Sequence, residues 1–227
     1  MINPIGIILS VSLYKIAEKY KNLPIIKHIP PMLVSGIIII ILLQIFHTDY
    51  ATYNESASWL TFLLMPATIA LGYPLYKNIK ILAKNKRIIY PMFFIAATCA
   101  IVTTYLVAKF CHTNLNVIIL MLPKSVTAPI AIEISKSSGG IPEFTVCTVV
   151  LTGVFGALTG HKILKLMKIK NDIAIGLAMG AASHVIGTAK CIEQGREKQV
   201  VMSTLALVTV GIISSVLIPI FLFLLKV

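Results

Sequence analysis

A chain of 227 residues that is 57% hydrophobic and only 12% charged, with a mean hydropathy of +0.91, excludes an ordinary soluble domain, which carries about a quarter charged residues. Its net charge of +12 would suggest nucleic acid in a soluble protein, but the lysines sit in short loops between apolar runs, where the positive-inside bias accounts for them. The expectation is an all-α integral membrane protein of the bilayer, with room for six to eight transmembrane helices of about 20 residues each and no nucleic-acid partner.

In chain order, Ile2 to Tyr14 is a short first span with its N-terminus outside. No basic residue precedes it, whereas Lys15, Lys19, Lys21 and Lys27 follow, the wrong polarity for a cleaved signal. Charge-free stretches follow at 29–48, 56–76 and 88–108. The 49–55 connection holds Asp49 and Glu55 with no lysine; the 77–87 connection holds Lys77, Lys80, Lys84, Lys86 and Arg87 with no acid. The first is therefore expected outside and the second in the cytoplasm. Pro66 and Pro74, with Thr68 between them, interrupt the 56–76 span. A proline-kinked helix and a third pore-lining segment both fit.

Residues 117–136 break the pattern. Pro123 and Pro129 remove backbone donors and disfavour helix for the residue ahead of each, and Lys124, Ser125, Thr127 and Glu133 bring polarity to membrane depth. If this stretch crossed, the loop with Lys162, Lys165, Lys168 and Lys170 would fall on the outer face. If it enters from outside and returns, 144–160 crosses and that loop is cytoplasmic, as its charge demands. Broken backbone at this depth is tolerated only inside protein or along a water-filled cavity.

Residues 173–193 form the second anomaly. Gly176, Gly180 and Gly187 are spaced for close helix approach, yet Ser183, His184 and Thr188 lie mid-segment. PKSVTAPIA (123–131) and AASHVIGTA (181–189) share a serine and the closing alanine, with a breaker, Pro129 or Gly187, four residues after the serine. Opposed half-spans that meet near mid-bilayer are how inverted-repeat transporters build substrate sites. The last span is 199–225, with Pro219 as a tolerated kink. The expected count is six full crossings plus two broken or re-entrant segments; eight crossings with two discontinuous helices is the rival.

Lys124 is the first candidate for substrate binding: a fixed cation beside a helix start offers a carboxylate Coulomb attraction and free N–H groups. The alternative is a lysine snorkelling to the interface. Ser125 and Thr127 can add hydroxyl donors. Glu133 is a candidate partner of Lys124 or proton site, or else a solvated residue near Gly139–Gly140. His184 could couple a proton to an anion or be a hydrogen-bonded packing residue, flanked by Ser183 and Thr188. Cys99, Cys111, Cys147 and Cys191 show no ligand spacing, so no metal or cofactor is expected. HExxH, GxSxG and Walker-type loops are missing. An enzyme is not expected.

PATIALGYPLYKN (66–78), LPKSVTAPIAIEIS (122–135), GGIPEFTVCTVVLTGVFGA (139–157) and GLAMGAASHVIGTAKCIEQG (176–195) resemble the LrgB/CidB family of bacterial membrane proteins, relatives of plastid glycolate/glycerate transporters. Ala128, Lys190, Gly72 and Tyr73 depart from the family pattern; the first two bear on substrate or anion preference. The resemblance implies a single LrgB-like transmembrane domain over 1–227 in the bacterial cytoplasmic (inner) membrane. It implies two functional alternatives. One is a transporter of small monocarboxylates of pyruvate, glycolate or glycerate type, by alternating access and possible proton linkage, with contacts from Lys124, Ser125, Thr127, Ser183, His184 and Thr188. The other is an antiholin-like regulator of murein hydrolase activity and autolysis with no transported substrate. A small LrgA-like membrane partner is implied in both, and the glycine-rich helices permit a homodimer.

Overall fold

A computed structural model of the chain describes residues 4–21, 23, 29–70, 72–78, 80, 83 and 86–225. All regular structure among these residues is helical. With no water in hydrocarbon to satisfy backbone groups, helices that close their hydrogen bonds internally are what this composition demands. The chain separates into two compact units, Met1–Ile69 and Ala70–Val227.

In the first unit, α1 (Ile5–Lys19) packs on α2 (Pro31–Ile45), which starts with a proline where the missing N–H costs nothing. Asp49 caps α3 (Tyr50–Ser56) by accepting from the Ala51 N–H at 3.2 Å. The Ser10 and Tyr53 hydroxyls meet at 2.7 Å. The span expected over 56–76 is interrupted after α4 (Ser58–Phe62); helix is described again as α5 (Leu64–Ala70) and, already in the second unit, α6 (Gly72–Lys77), with residue 71 outside the described residues. The break after α4 falls where a proline dictates it, because Pro66 cannot donate to the Phe62 carbonyl. Pro66 is exposed; the side chains of Thr68 and Pro74 lie outside the described residues, as does Lys84.

The second unit holds α7 (Lys86–Phe110), α10 (Pro142–Leu166) and α12 (Glu197–Leu224), each long and apolar enough to cross. Between them lie two helical hairpins. The first consists of α8 (Leu115–Met121), a 3-10 turn (Leu122–Ser125), extended residues Val126 and Thr127, and α9 (Ala128–Ser137). Asn114 caps its entry by accepting from the Asn116 N–H at 3.1 Å. It folds back: a side chain on Gly140 would come within 2.6 Å of Leu120 Cδ2, although a continuous helix would hold residues 120 and 140 about 30 Å apart. Both of its arms pack on α10.

The second hairpin is α11 (Asp172–Glu193), whose length also suits a crossing. A straight helix would separate its ends by about 33 Å. Instead Arg196 Nη1 donates to Asp172 Oδ1 at 2.9 Å, and Gly187 lies against the backbone of Met179. The reversal occurs at His184, with φ 40° and ψ −129°. Residues 117–136 and 173–193 are therefore both re-entrant, and they enter from opposite ends: the first after the end of α7, the second after the end of α10. The order helix-then-hairpin occurs twice in opposite directions, an inverted repeat. Gly139 (φ +69°) and Gly195 (φ +66°) take the left-handed backbone that turns each hairpin into the next helix.

Packing holds the second hairpin tightest. Gly176 and Gly180 rest directly on the backbone of Gln199 and Ser203 in α12, and α7 adds Ile89, Phe93 and Ala97 to Leu205, Ala206 and Val210. The end of the second unit that holds Lys86, Arg87, Lys162, Lys165, Lys168, Lys170, Lys190, Arg196 and Lys198 opposes these with Asp172, Glu193 and Glu197; the other end holds Lys109 and Lys136 against Glu133 and Glu143. That bias is the one the positive-inside rule expects of a cytoplasmic end. In a cysteine-free variant, Ser138→Cys is expected to react with an impermeant maleimide from outside and Gln194→Cys from the cytoplasm; the reverse pattern would overturn this topology.

Candidate functional site

The hairpin tips meet beside α10, where the 3-10 turn of the first contacts the second. Pro123, fully buried at the start of that turn, and Pro129, in the first turn of α9, create the break. α9 begins at Thr127, which caps no N–H with its side chain. The returning arm of the second hairpin begins just after His184. Each start aims free backbone N–H groups and the positive end of a helix dipole at the tips.

Lys124 is half-buried between them, its Nζ 3.3 Å from Ser125 Oγ, and it has no ion-pair partner among the described residues. It lines two cavities. The inner one, of about 550 Å³, runs past Ser125, Ser183, Thr152 and Gly156 to Gly160, Ile163 and Leu164, toward the basic end. The outer one, of about 290 Å³, runs past Thr104, Val107 and Met121 to Cys111 and Thr113, toward the other end. Besides Lys124, Thr103 also lines both.

The hydroxyls of Ser183 (1% exposed) and Thr127 (2% exposed) have no hydrogen-bond partner among the described residues. A buried hydroxyl left unsatisfied costs about 1–3 kcal/mol, and an ammonium at this depth at least about 2.5 kcal/mol. Ser183 Oγ fits only because Gly156 has no side chain at that point. The Ser183 hydroxyl, an unspent donor on the same cavity as the Lys124 ammonium, complements a small anion.

The structure brings Lys124, Ser125 and Ser183 together on the inner cavity. Thr127 sits in the same tip but lines neither cavity. His184 points away: its Nε2 lies 3.1 Å from the Val149 carbonyl oxygen in α10, and Thr188 Oγ1 donates to the His184 carbonyl at 3.0 Å. Gly187 is a packing contact, not an opening of the backbone toward a ligand. Glu133 is not the partner of Lys124: α9 carries it back toward the outer end, where it is 66% exposed and pairs with Lys136 at 3.1 Å. Its proton-site role loses its basis, because the residue faces solvent instead of the tips.

Sequence reasoning passed over Thr103, Thr152 and Gly156. The glycines at 153, 156 and 160 carried a usable signal of close approach; single threonines in apolar helices carry none. Also passed over was the clamp at the base of the second hairpin. There Gln199 Nε2 donates to Asp172 Oδ1 at 2.7 Å, beside the Arg196 contact, and Gln199 Oε1 lies 3.3 Å from His161 Nε2. Those residues are far apart along the chain and meet only because the hairpin returns.

A family model described as the LrgB-like family matches residues 10–224. Similar curated proteins include YxaC of Bacillus subtilis, described as uncharacterized (33% identical, 92% of this chain and 90% of that one). They also include holin-like protein CidB of Staphylococcus aureus (34%, covering 94% and 93%) and antiholin-like protein LrgB of Bacillus mycoides (36%, covering 84% and 83%). No solved structure matches. With the family model covering nearly the whole chain and these identities sustained across it, the chain belongs to the LrgB-like family.

Proposed function

We propose that this membrane protein carries a small monocarboxylate of pyruvate, glycolate or glycerate type by alternating access around the paired hairpins. One observation carries the reading: Lys124, with no ion pair among the described residues, borders two cavities that run toward opposite ends of the second unit. A carboxylate arriving by either cavity meets the same ammonium, and on the inner side the Ser125 and Ser183 hydroxyls as well. This is the arrangement by which opposed broken helices hold anionic substrates in inverted-repeat carriers. Location in the bacterial cytoplasmic membrane, a small LrgA-like partner and a homodimer belong to the same proposal.

The second reading is an antiholin-like regulator of murein hydrolase activity with no transported substrate. The names of the relatives, holin-like and antiholin-like, favour it over the carrier; the geometry of Lys124 is what favours the carrier. The two readings join if altered autolysis follows from disturbed carboxylate or proton balance.

Uptake of labelled pyruvate, glycolate and glycerate into proteoliposomes, with and without an LrgA-like protein, separates them. The carrier reading expects saturable uptake of at least one. Absence of uptake in both preparations, with the purified protein still folded and still binding the partner, leaves the regulator. Glu133→Gln is expected to leave uptake within about twofold of the parent, since an exposed ion pair is worth about 0–1 kcal/mol; initial rates at matched protein density check this.

A further inference from the structure

His184 is the most strained residue of the second hairpin. Its φ of 40° with ψ of −129° is a backbone conformation suited to glycine, and for another residue it costs about 1–3 kcal/mol. Something must repay that, and three observations show what does. The ring is 3% exposed, yet it is absent from the lining of either cavity at Lys124. Its Nε2 meets the Val149 carbonyl oxygen at 3.1 Å, and a carbonyl only accepts, so Nε2 carries a proton and donates it to that oxygen. The ring reaches α10 because residue 153 is glycine: a methyl group there would lie 2.6 Å from His184 Cε1. The next residue back along the chain is Ser183, whose free hydroxyl faces the inner cavity.

We infer that His184 is a positioning residue: it pins the tip of the second hairpin to α10, across Gly153, and so holds Ser183 at the depth of Lys124. It is not a ligand of the transported anion and not the carrier of a coupled proton. This rests on the carrier reading for its consequence but not for its geometry. The pin needs a donor at the place of Nε2, and it does not need a group that titrates. Glutamine has such a donor and cannot titrate; alanine has neither.

The test compares His184→Gln, His184→Ala and Gly153→Ala, the last crowding the ring, and the end of Ile186 beside it, away from α10 while leaving the hairpin's own residues unchanged. In the otherwise cysteine-free Ser183→Cys protein, labelling by a small maleimide is expected to rise about tenfold or more in the His184→Ala and Gly153→Ala forms, as the buried tip opens locally. His184→Gln is expected to label at the parental rate. In proteins retaining Ser183, the two lesions are expected to raise the KM for labelled carboxylate about tenfold with a smaller change in maximal rate. His184→Gln is expected to keep both KM and any accumulation driven by a pH gradient. Equal labelling in all forms overturns the pin. Intact exchange with lost gradient-driven accumulation in His184→Gln makes the imidazole a proton carrier and also overturns it. If the parent protein shows no flux with any monocarboxylate, the carrier reading fails, while the labelling series still decides the pin.

Discussion

Lys124→Met is expected to reduce carboxylate uptake by about tenfold to a hundredfold while leaving expression and monodispersity unchanged. Methionine keeps the length and apolar stem of lysine and removes only the ammonium. No ion pair among the described residues is broken by the change, and an ammonium at mid-membrane depth is itself a cost to folding, so the variant should be no less stable than the parent. What it loses is the one charge facing the substrate. A charge-assisted hydrogen bond in a low-dielectric site is worth about 1.5–3 kcal/mol, which is on the order of tenfold to a hundredfold in affinity, and a bound carboxylate also loses its long-range attraction to the site. Lys124→Arg keeps the charge and is expected to retain part of the flux with altered selectivity, because a planar fork does not replace a compact ammonium. Initial uptake rates at matched reconstitution density measure both. Retained flux in Lys124→Met would mean that the anion passes elsewhere.

Gly180→Leu is expected to abolish folding of the second unit. A side chain there would enter the Ser203 backbone in α12, and backbone has no alternative rotamer to adopt. Overpacking that a core absorbs by side-chain shifts costs about 1–3 kcal/mol; this one requires separating the second hairpin from α12. That interface also carries Gly176 on Gln199 and the Asp172–Arg196 contact. With no hydrophobic drive between helices in lipid, close packing is the main force that holds them. Gly36, with open space around its backbone, is the matched control: Gly36→Leu should be tolerated. Gel-filtration profiles of the two variants, extracted in mild detergent, provide the check. A monodisperse Gly180→Leu protein with parental melting would contradict the packing described for α11 and α12.

The architecture was legible in the sequence where one strong physical constraint acted alone. Loop lysines marked one end as the expected cytoplasmic one, and keeping Lys162 to Lys170 there favoured a turn within residues 117–136 over a full crossing, as the hairpin shows. Prolines at 66, 123 and 129 marked breaks, though only the structure shows α4 ending four residues before Pro66. Side-chain direction was not legible. Glu133, Thr127, His184 and Thr188 are polar groups in two odd segments, and neither their position nor the family resemblance told which of them face a ligand. Hairpin geometry divides them from the lining residues: Ser125 and Ser183 line the inner cavity, Glu133, His184 and Thr188 bond their own hairpin or α10, and Thr127 lines neither cavity. The Asp172–Gln199–His161 clamp was invisible for the same reason, since it exists only once α11 has reversed.

The most direct test of an anion site at the hairpin tips is equilibrium dialysis of labelled pyruvate or glycolate against the purified, detergent-solubilised chain and its Lys124→Met form. One saturable carboxylate per chain in the parent, lost in Lys124→Met and competed by the other small monocarboxylates, is the predicted result. No saturable binding to a folded parent, or equal binding to both forms, would contradict it.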